Sequence, residues 1–118
     1  MDFSTAIRTC LRKYATFAGR APRSEYWFYF LFQLIAIVAG MIADSVLGTN
    51  MIIYALVVLG LLLPTIAVGV RRLHDTNRSG WWILIGFVPI VGAIVLLIWV
   101  CTKGTDGPNT YGADPLRA

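Results

Sequence analysis

The stretch VRRLHDTNRSGWW, residues 70–82, decides how the rest of the chain is interpreted. It holds three of the ten basic residues and the single histidine, and it lies between two long apolar runs. Apolar runs of that length predict membrane-spanning helices, so we expect this charged stretch in water or among lipid headgroups. Any specific recognition by the protein is therefore expected to involve residues 70–82.

Three apolar runs predict an all-α membrane protein with three transmembrane helices. The runs cover residues 26–43, 51–70 and 81–101, and none contains Asp, Glu, Lys, Arg or His. A helix needs about 20 apolar residues to cross a hydrocarbon core of about 30 Å. With 58% hydrophobic residues, 14% charged residues and a mean hydropathy of +0.71, the composition excludes an ordinary soluble domain. We expect one membrane domain, residues 1–118, with spans at 22–43, 51–70 and 81–101.

Residues 1–18 predict a basic amphipathic helix ahead of the first span. Phe3, Ile7, Leu11 and Tyr14 recur at spacings of three and four, which places them on one helical face. A helix of this kind commonly lies along the membrane surface with its apolar face at the acyl boundary. We therefore expect an interfacial helix. Packing of the same face against the end of the helix bundle is the alternative.

The third apolar run and the tail carry helix-breaking residues. Gly86, Pro89 and Gly92 interrupt the third run, because proline removes a backbone hydrogen bond. We expect one bent span there, with a partly re-entrant segment as the alternative. Residues 102–118 are rich in Gly, Pro, Asn and Asp, which predicts an irregular tail.

The distribution of basic residues predicts the orientation. The N-terminal segment holds five Lys and Arg residues, the loop after the second run three, the tail two and the first loop none. Three crossings place the first two of these segments on one side, which the positive-inside rule makes cytoplasmic. We expect a cytoplasmic N-terminus and a periplasmic C-terminus.

The charged stretch itself has two interpretations. If the second helix continues past residue 70, Arg71, Asp75 and Arg78 share a face and Asp75 lies within reach of both arginines. His74 is then expected close to the same two arginines. The first interpretation is that these residues pair with one another and anchor two helix ends at the headgroups. The second is an anion site, because guanidinium groups bind phosphate and basic pockets on the cytoplasmic side hold phospholipid headgroups.

Enzymatic, metal-binding and nucleic-acid-binding functions find little support in the residue pattern. His74 and Asp75 are neighbours in sequence and would point about 100° apart on a helix, so they do not form a dyad. Three crossings would separate Cys10 from Cys101, so we expect neither a disulfide nor a zinc site. No cofactor is expected. Membrane topology accounts for the positive charge, so nucleic acid is not expected as a partner.

Three motifs resemble those of one protein family. They are FxGRAxRxEYW at residues 17–27, RRLHDTxRSGW at 71–81 and GxxGxNxYGxDP at 104–115. In this order they resemble the DUF805 family of small bacterial inner-membrane proteins, over essentially the whole chain. The resemblance implies helical spans and an inner-membrane location, and it supplies neither an activity nor a set of functional residues.

Since all three motifs lie outside the spans or at their borders, we expect one polar cluster on the cytoplasmic face. Its predicted members are Arg20, Arg23, Glu25, Arg71, Arg72, His74, Asp75 and Arg78. The predicted function is that of a non-enzymatic membrane protein that is structural or binds lipid headgroups or a partner. The expected partners are anionic membrane lipids, further copies of the chain or another membrane protein. The alternative is a small transporter or channel component acting as an oligomer.

Overall fold

The computed structural model describes residues 2–115, and within them every extended regular element is helical. The elements are α1 (Phe3–Arg12), α2 (Arg23–Leu47), α3 (Ile52–Gly60), α4 (Leu62–Asp75), a 3-10 helix (Gly80–Phe87) and α5 (Val91–Cys101). The all-α architecture predicted from the sequence is confirmed for these residues. Two helical stretches, Arg23–Leu47 and Ile52–Asp75, are long and apolar enough to cross a membrane.

Helix α1 packs against the bundle rather than standing apart from it. The side chain of Asp2 caps its first turn by accepting a hydrogen bond from the backbone N–H of Thr5, 2.8 Å away. Ala6 and Cys10 are buried, and the ring of Phe3 meets that of Phe28 on α2 edge to face. The helix is shorter than the predicted 1–18, and its buried face is the one turned toward α2 and α4.

Helices α2 and α3 meet at a tight turn that is tied together by Asp44. Helix α2 runs four residues past the predicted end of the first span and stops at Gly48, whose φ of 67° is readily adopted only by glycine. The carboxylate of Asp44 accepts hydrogen bonds from the backbone N–H groups of Ile53 and Tyr54, each at 2.9 Å. It therefore supplies the acceptors that the first turn of α3 lacks.

The second predicted span is interrupted between α3 and α4. Pro64 has no N–H to give to the carbonyl of Gly60, four residues earlier. The hydroxyl of Tyr14 donates to that carbonyl instead, and the hydroxyl of Tyr29 donates to the carbonyl of Leu61 at 3.2 Å. Tyr14 thus satisfies the carbonyl that loses its helical donor to Pro64, and Tyr29 adds a hydrogen bond to the carbonyl that also accepts from Thr65.

The third apolar run, expected to form one bent span with a partly re-entrant segment as the alternative, is broken into two helical halves. It is divided into the 3-10 helix and α5, with Ile90 between them at a φ of 66°. The two halves fold back on each other, since the rings of Trp82 and Trp99 lie 5.7 Å apart although they stand at opposite ends of the run. Gly92 permits this close approach, because a Cβ there would lie 1.7 Å from the carbonyl oxygen of Ile85. We call Gly80–Cys101 the hairpin.

The tail is irregular as far as it is described, to residue 115, and it lies against the end of α4. The backbone N–H of Thr105 donates to the carbonyl of Asp75 at 2.7 Å, and the amide of Asn109 donates to the carbonyl of His74 at 3.0 Å. Residues 102–115 therefore occupy the same end of the molecule as residues 19–25. This placement differs from the expectation that the tail and the N-terminal segment lie at opposite ends.

Candidate functional site: a buried arginine–carboxylate cluster

Asp75, the last residue of α4, lies between two arginines. Its Oδ1 accepts from Nε of Arg20 at 2.9 Å, and its Oδ2 accepts from Nη1 of Arg72 at 2.5 Å. All three side chains are buried, with Arg72 at 0% and Asp75 at 3% exposure. Two positive charges thus share one carboxylate in a space that excludes water, so the remaining guanidinium N–H groups need other acceptors.

Backbone carbonyls of the tail supply those acceptors for Arg20. Its Nη2 donates to Thr105 at 2.6 Å, and its Nη1 donates to Gly107 at 2.7 Å and to Gly112 at 3.2 Å. The close fit requires glycine at position 104, because a Cβ there would lie 2.1 Å from Oδ2 of Asp75. The glycine-rich tail is therefore part of the cluster.

Arg72 joins α4 to the end of the hairpin. Its Nε donates to the carbonyl of Val100 at 3.0 Å, and its Nη2 donates to that of Thr102. Its Nη1 also donates to the carbonyl of Ala21 at 3.2 Å. The carbonyls at the end of α5 have no partner inside their own helix, so a guanidinium both satisfies them and fixes their position. Arg72 thereby holds the base of the hairpin.

Arg71 belongs to a second, separate pair. Its Nη1 donates to Oε2 of Glu25 on α2, and both side chains are almost fully buried. Nε and Nη2 of Arg71 are buried without a hydrogen-bond partner among the described residues. The thiol of Cys10 lies 3.5 Å from the same Glu25 oxygen. Burial, followed by the charge of Glu25, raises the pKa of Cys10 to about 12, which keeps the thiol protonated.

His74 is held on two sides. Its Nδ1 lies 2.9 Å from the carbonyl oxygen of Gly19, and its ring stacks on that of Tyr111 with 4.0 Å between centroids and 2° between planes. The two remaining predicted residues contact the base of the hairpin. Arg23 donates to the carbonyl of Cys101 at 3.1 Å, and the guanidinium of Arg78 lies over the ring of Trp99 at 4.8 Å.

The structure brings the eight predicted residues to one end of the bundle, in a different pairing from the one predicted. The expected pairs of Asp75 with Arg71 and with Arg78 do not form between these described residues. Asp75 pairs instead with Arg72 and Arg20, and Arg71 points toward α2. His74 contacts Gly19 and Tyr111, where the sequence predicted proximity to Arg71 and Arg78.

Sequence reasoning missed the participants that come from other segments. These are Cys10, Tyr111, Gly104 and the carbonyls of the tail. A signal was available for the tail, because the third motif is a run of glycines and polar residues with no apolar face. Such a run has no fold of its own and must obtain its structure from the surface that it covers.

Two open grooves flank the hairpin beneath this cluster. One, of about 600 Å³, lies between α2 and the hairpin, and its apolar walls include Trp27, Phe30 and Leu97. The other, of about 520 Å³, lies between α4 and the 3-10 helix, and His74 and Ser79 line one end of it. Among residues 2–115 no group of three or more His, Cys, Asp and Glu side chains is suited to hold a metal ion.

Two long apolar helices joined to a broken apolar hairpin are the features of a helical membrane protein, here with a charged cluster at one end. The chain belongs to the DUF805 family, a family of proteins of unknown function, whose model matches residues 14–113. It is therefore a transmembrane protein of the inner membrane, in agreement with the names of its relatives.

Two Escherichia coli K12 relatives carry that location in their names. Inner membrane protein YhaI is 44% identical over 106 residues, covering 89% of this chain and 90% of the relative. Inner membrane protein YhaH is 38% identical over 113 residues, covering 89% and 91%. Uncharacterized protein YiiR of the same organism is 30% identical over 126 residues, covering 84% and 85%. No solved structure matches the chain.

Proposed function

We propose that the chain is a non-enzymatic membrane protein that crosses the bilayer twice and inserts the hairpin into one leaflet. The two crossings are α2 and the pair α3–α4. The observation that carries the proposal is the contact between Trp82 and Trp99, which joins the two ends of the hairpin at one level. Helix α5 has 11 residues. At 1.5 Å per residue it is about 17 Å long, which is too short for a core of about 30 Å.

The charge distribution supports a cytoplasmic location for the cluster. Nine of the ten basic residues lie in the N-terminal segment, the α4 end with its following loop, and the described part of the tail, and these segments meet at one end of the molecule. The turn between α2 and α3, at the opposite end, has no basic residue. By the positive-inside rule the first end is cytoplasmic. The proposal keeps the N-terminus in the cytoplasm and moves the C-terminus there from the periplasm.

The role proposed for the cluster is structural. Arg20 and Arg72 give their N–H groups to a shared carboxylate and to backbone carbonyls, so the cluster fastens the hairpin and the tail to α4. Guanidinium groups whose N–H donors already bind protein acceptors are poorly suited to bind a lipid phosphate or to move protons. The protein then acts through the surfaces that the cluster holds in place, which are the lipid-exposed hairpin and the grooves beside it.

Reporter fusions test the topology. A reporter that is active only in the cytoplasm and one that is active only in the periplasm are each fused after Ala118, and in separate fusions after Thr49. We expect cytoplasmic activity at the first position and periplasmic activity at the second. Periplasmic activity after Ala118 would restore three crossings and overturn the proposal.

The hairpin also favours a second candidate, a channel or transporter component. Irregular backbone at membrane depth is tolerated where it is packed in protein or lines a water-filled cavity, and the break at Ile90 lies within the hairpin. Potassium release from liposomes containing the purified protein tests this candidate. The channel would be favoured over the first proposal if potassium release exceeds that of empty liposomes and a bulky substitution such as Gly86→Trp abolishes it.

A further inference from the structure

One imidazole nitrogen of His74, Nε2, faces a groove. It has no hydrogen-bond partner among the described residues. Nδ1 carries the hydrogen, because the carbonyl of Gly19 at 2.9 Å can only accept. In the neutral ring Nε2 is then an acceptor, and among residues 2–115 it takes no hydrogen bond. His74 is only 9% exposed, and a Cβ at Gly80 would lie 3.4 Å from Nε2. An oriented acceptor on a largely buried side chain therefore faces the space next to Gly80.

That space is the groove of about 520 Å³ between α4 and the 3-10 helix. Apart from His74 and Ser79, its walls are mainly hydrocarbon and include Phe17, Ile66 and Leu84. From His74 to Ile66 the groove follows eight residues of α4, about 12 Å at 1.5 Å per residue. One leaflet of the hydrocarbon core is about 15 Å deep. The groove therefore matches most of the depth of one acyl chain, with the polar end at headgroup level.

We propose that this groove binds one phosphatidylglycerol molecule of the cytoplasmic leaflet, with an acyl chain along α4 and the headgroup at His74. The inference rests on the proposed topology, which places His74 at the level of the headgroups. It assigns lipid recognition to His74 and Ser79, rather than to Arg20 and Arg72, whose donors are already taken by protein acceptors.

Hydrogen bonding and charge select this headgroup. Nε2 accepts, so it favours a headgroup with an O–H donor, and choline has none. Ser79 accepts from the backbone N–H of Trp81 at 3.3 Å, and its own hydroxyl, which donates to no residue in the described range 2–115, can donate to a phosphate oxygen. The neighbouring Arg78 and the excess of positive charge at this end oppose an ammonium headgroup and attract an anionic lipid. Phosphatidylglycerol meets all three conditions: its glycerol headgroup has O–H donors for Nε2, its phosphate accepts from Ser79, and the lipid is anionic.

The experiment measures lipid retention by the purified full-length chain. The protein is exchanged into detergent and incubated with equal amounts of dioleoyl phosphatidylglycerol, phosphatidylethanolamine and phosphatidylcholine, and the bound lipids are counted by native mass spectrometry. We expect one phosphatidylglycerol per chain, retained at least about fivefold over the other two. His74→Phe keeps an aromatic ring that can stack on Tyr111. This variant should retain about five- to tenfold less phosphatidylglycerol than the wild type, as expected for one lost hydrogen bond.

A matched pair of variants tests the groove itself. Ile66→Trp adds bulk inside the groove and should abolish retention, whereas Leu97→Trp adds the same bulk in the other groove and should leave it unchanged. Equal retention of the three lipids by the wild type would overturn the inference, whether or not a variant folds. The inference would also be overturned if His74→Phe and Ile66→Trp both fold and retain as much phosphatidylglycerol as the wild type. The reporter after Ala118 reads the topology independently, so a failed lipid site with a cytoplasmic C-terminus removes this inference alone.

Discussion

Replacing Asp75 by asparagine is the most direct test of the buried cluster. The substitution keeps the shape of the side chain and removes the carboxylate that Arg20 and Arg72 share. Both guanidinium groups would stay buried, because backbone carbonyls of the tail and of α5 hold them in place. Leaving buried charges without their counter-charge typically costs about 3–5 kcal/mol. We expect Asp75→Asn to lower the free energy of unfolding by that amount.

The measurement is unfolding of the purified protein in mixed micelles of mild detergent and dodecyl sulfate, followed by tryptophan fluorescence. Trp99 reports on the base of the hairpin, because it contacts both Trp82 and Arg78. Asp106→Asn is the matched control, since Asp106 pairs with Lys103 at 3.2 Å while its side chain is 68% exposed. Exposed pairs contribute little to stability. The reasoning is refuted if the two asparagine variants unfold at the same detergent composition.

Three further outcomes follow from the contacts described above. Tyr14→Phe should destabilise the protein by about 1–3 kcal/mol, because it leaves the carbonyl of Gly60 without a donor in an apolar setting. Gly92→Ala should separate the two halves of the hairpin and cost about 1–3 kcal/mol or more, because its Cβ would lie 1.7 Å from the carbonyl oxygen of Ile85. Cys10 should resist maleimide at about pH 8 in the folded protein, because burial raises its pKa to about 12 and removes the reactive thiolate.

Each of these outcomes has a control within the chain. Tyr54→Phe removes a hydroxyl for which the described residues provide no hydrogen-bond partner. Gly60→Ala adds a Cβ that meets nothing within 4 Å, on a helix that gains from alanine. The exposed Cys101 should react with maleimide under conditions that spare Cys10. Wild-type stability of Tyr14→Phe or of Gly92→Ala, or equal labelling of the two cysteines, would contradict the corresponding contact.

The helices were predictable because hydropathy and helix-breaking residues are local properties. The two long apolar stretches begin within a residue of the predicted positions and run four and five residues past the predicted ends. The break near Pro89 was also visible, but a sequence does not state whether a broken helix bends or folds back. That outcome depends on the approach of Gly92 to Ile85, which is a contact between the two halves.

The common location of the charged residues was predictable, but the expected pairs of Asp75 with Arg71 and Arg78 were wrong. Charged residues bordering apolar runs must meet near the ends of the helices, so their common location followed from the sequence. Helical spacing suggested that Arg71 would pair with Asp75, on the assumption that both face water. In the bundle Arg71 faces Glu25 on another helix, and Asp75 is reached by Arg20 from 55 residues away. Spacing along one helix carries no information about such partners.

The cluster also sets an order of events during biosynthesis. The carbonyls of Thr105, Gly107 and Gly112 that bind Arg20 are synthesised 85, 87 and 92 residues after it. At about 5–20 residues per second, the ribosome needs roughly 4–20 s to supply them. Until then, the side chain of Arg20 has only Asp75 and water or headgroups as partners. Residues 105–112 thus close the structure around Arg20, and a chain released before residue 105 would keep this guanidinium exposed.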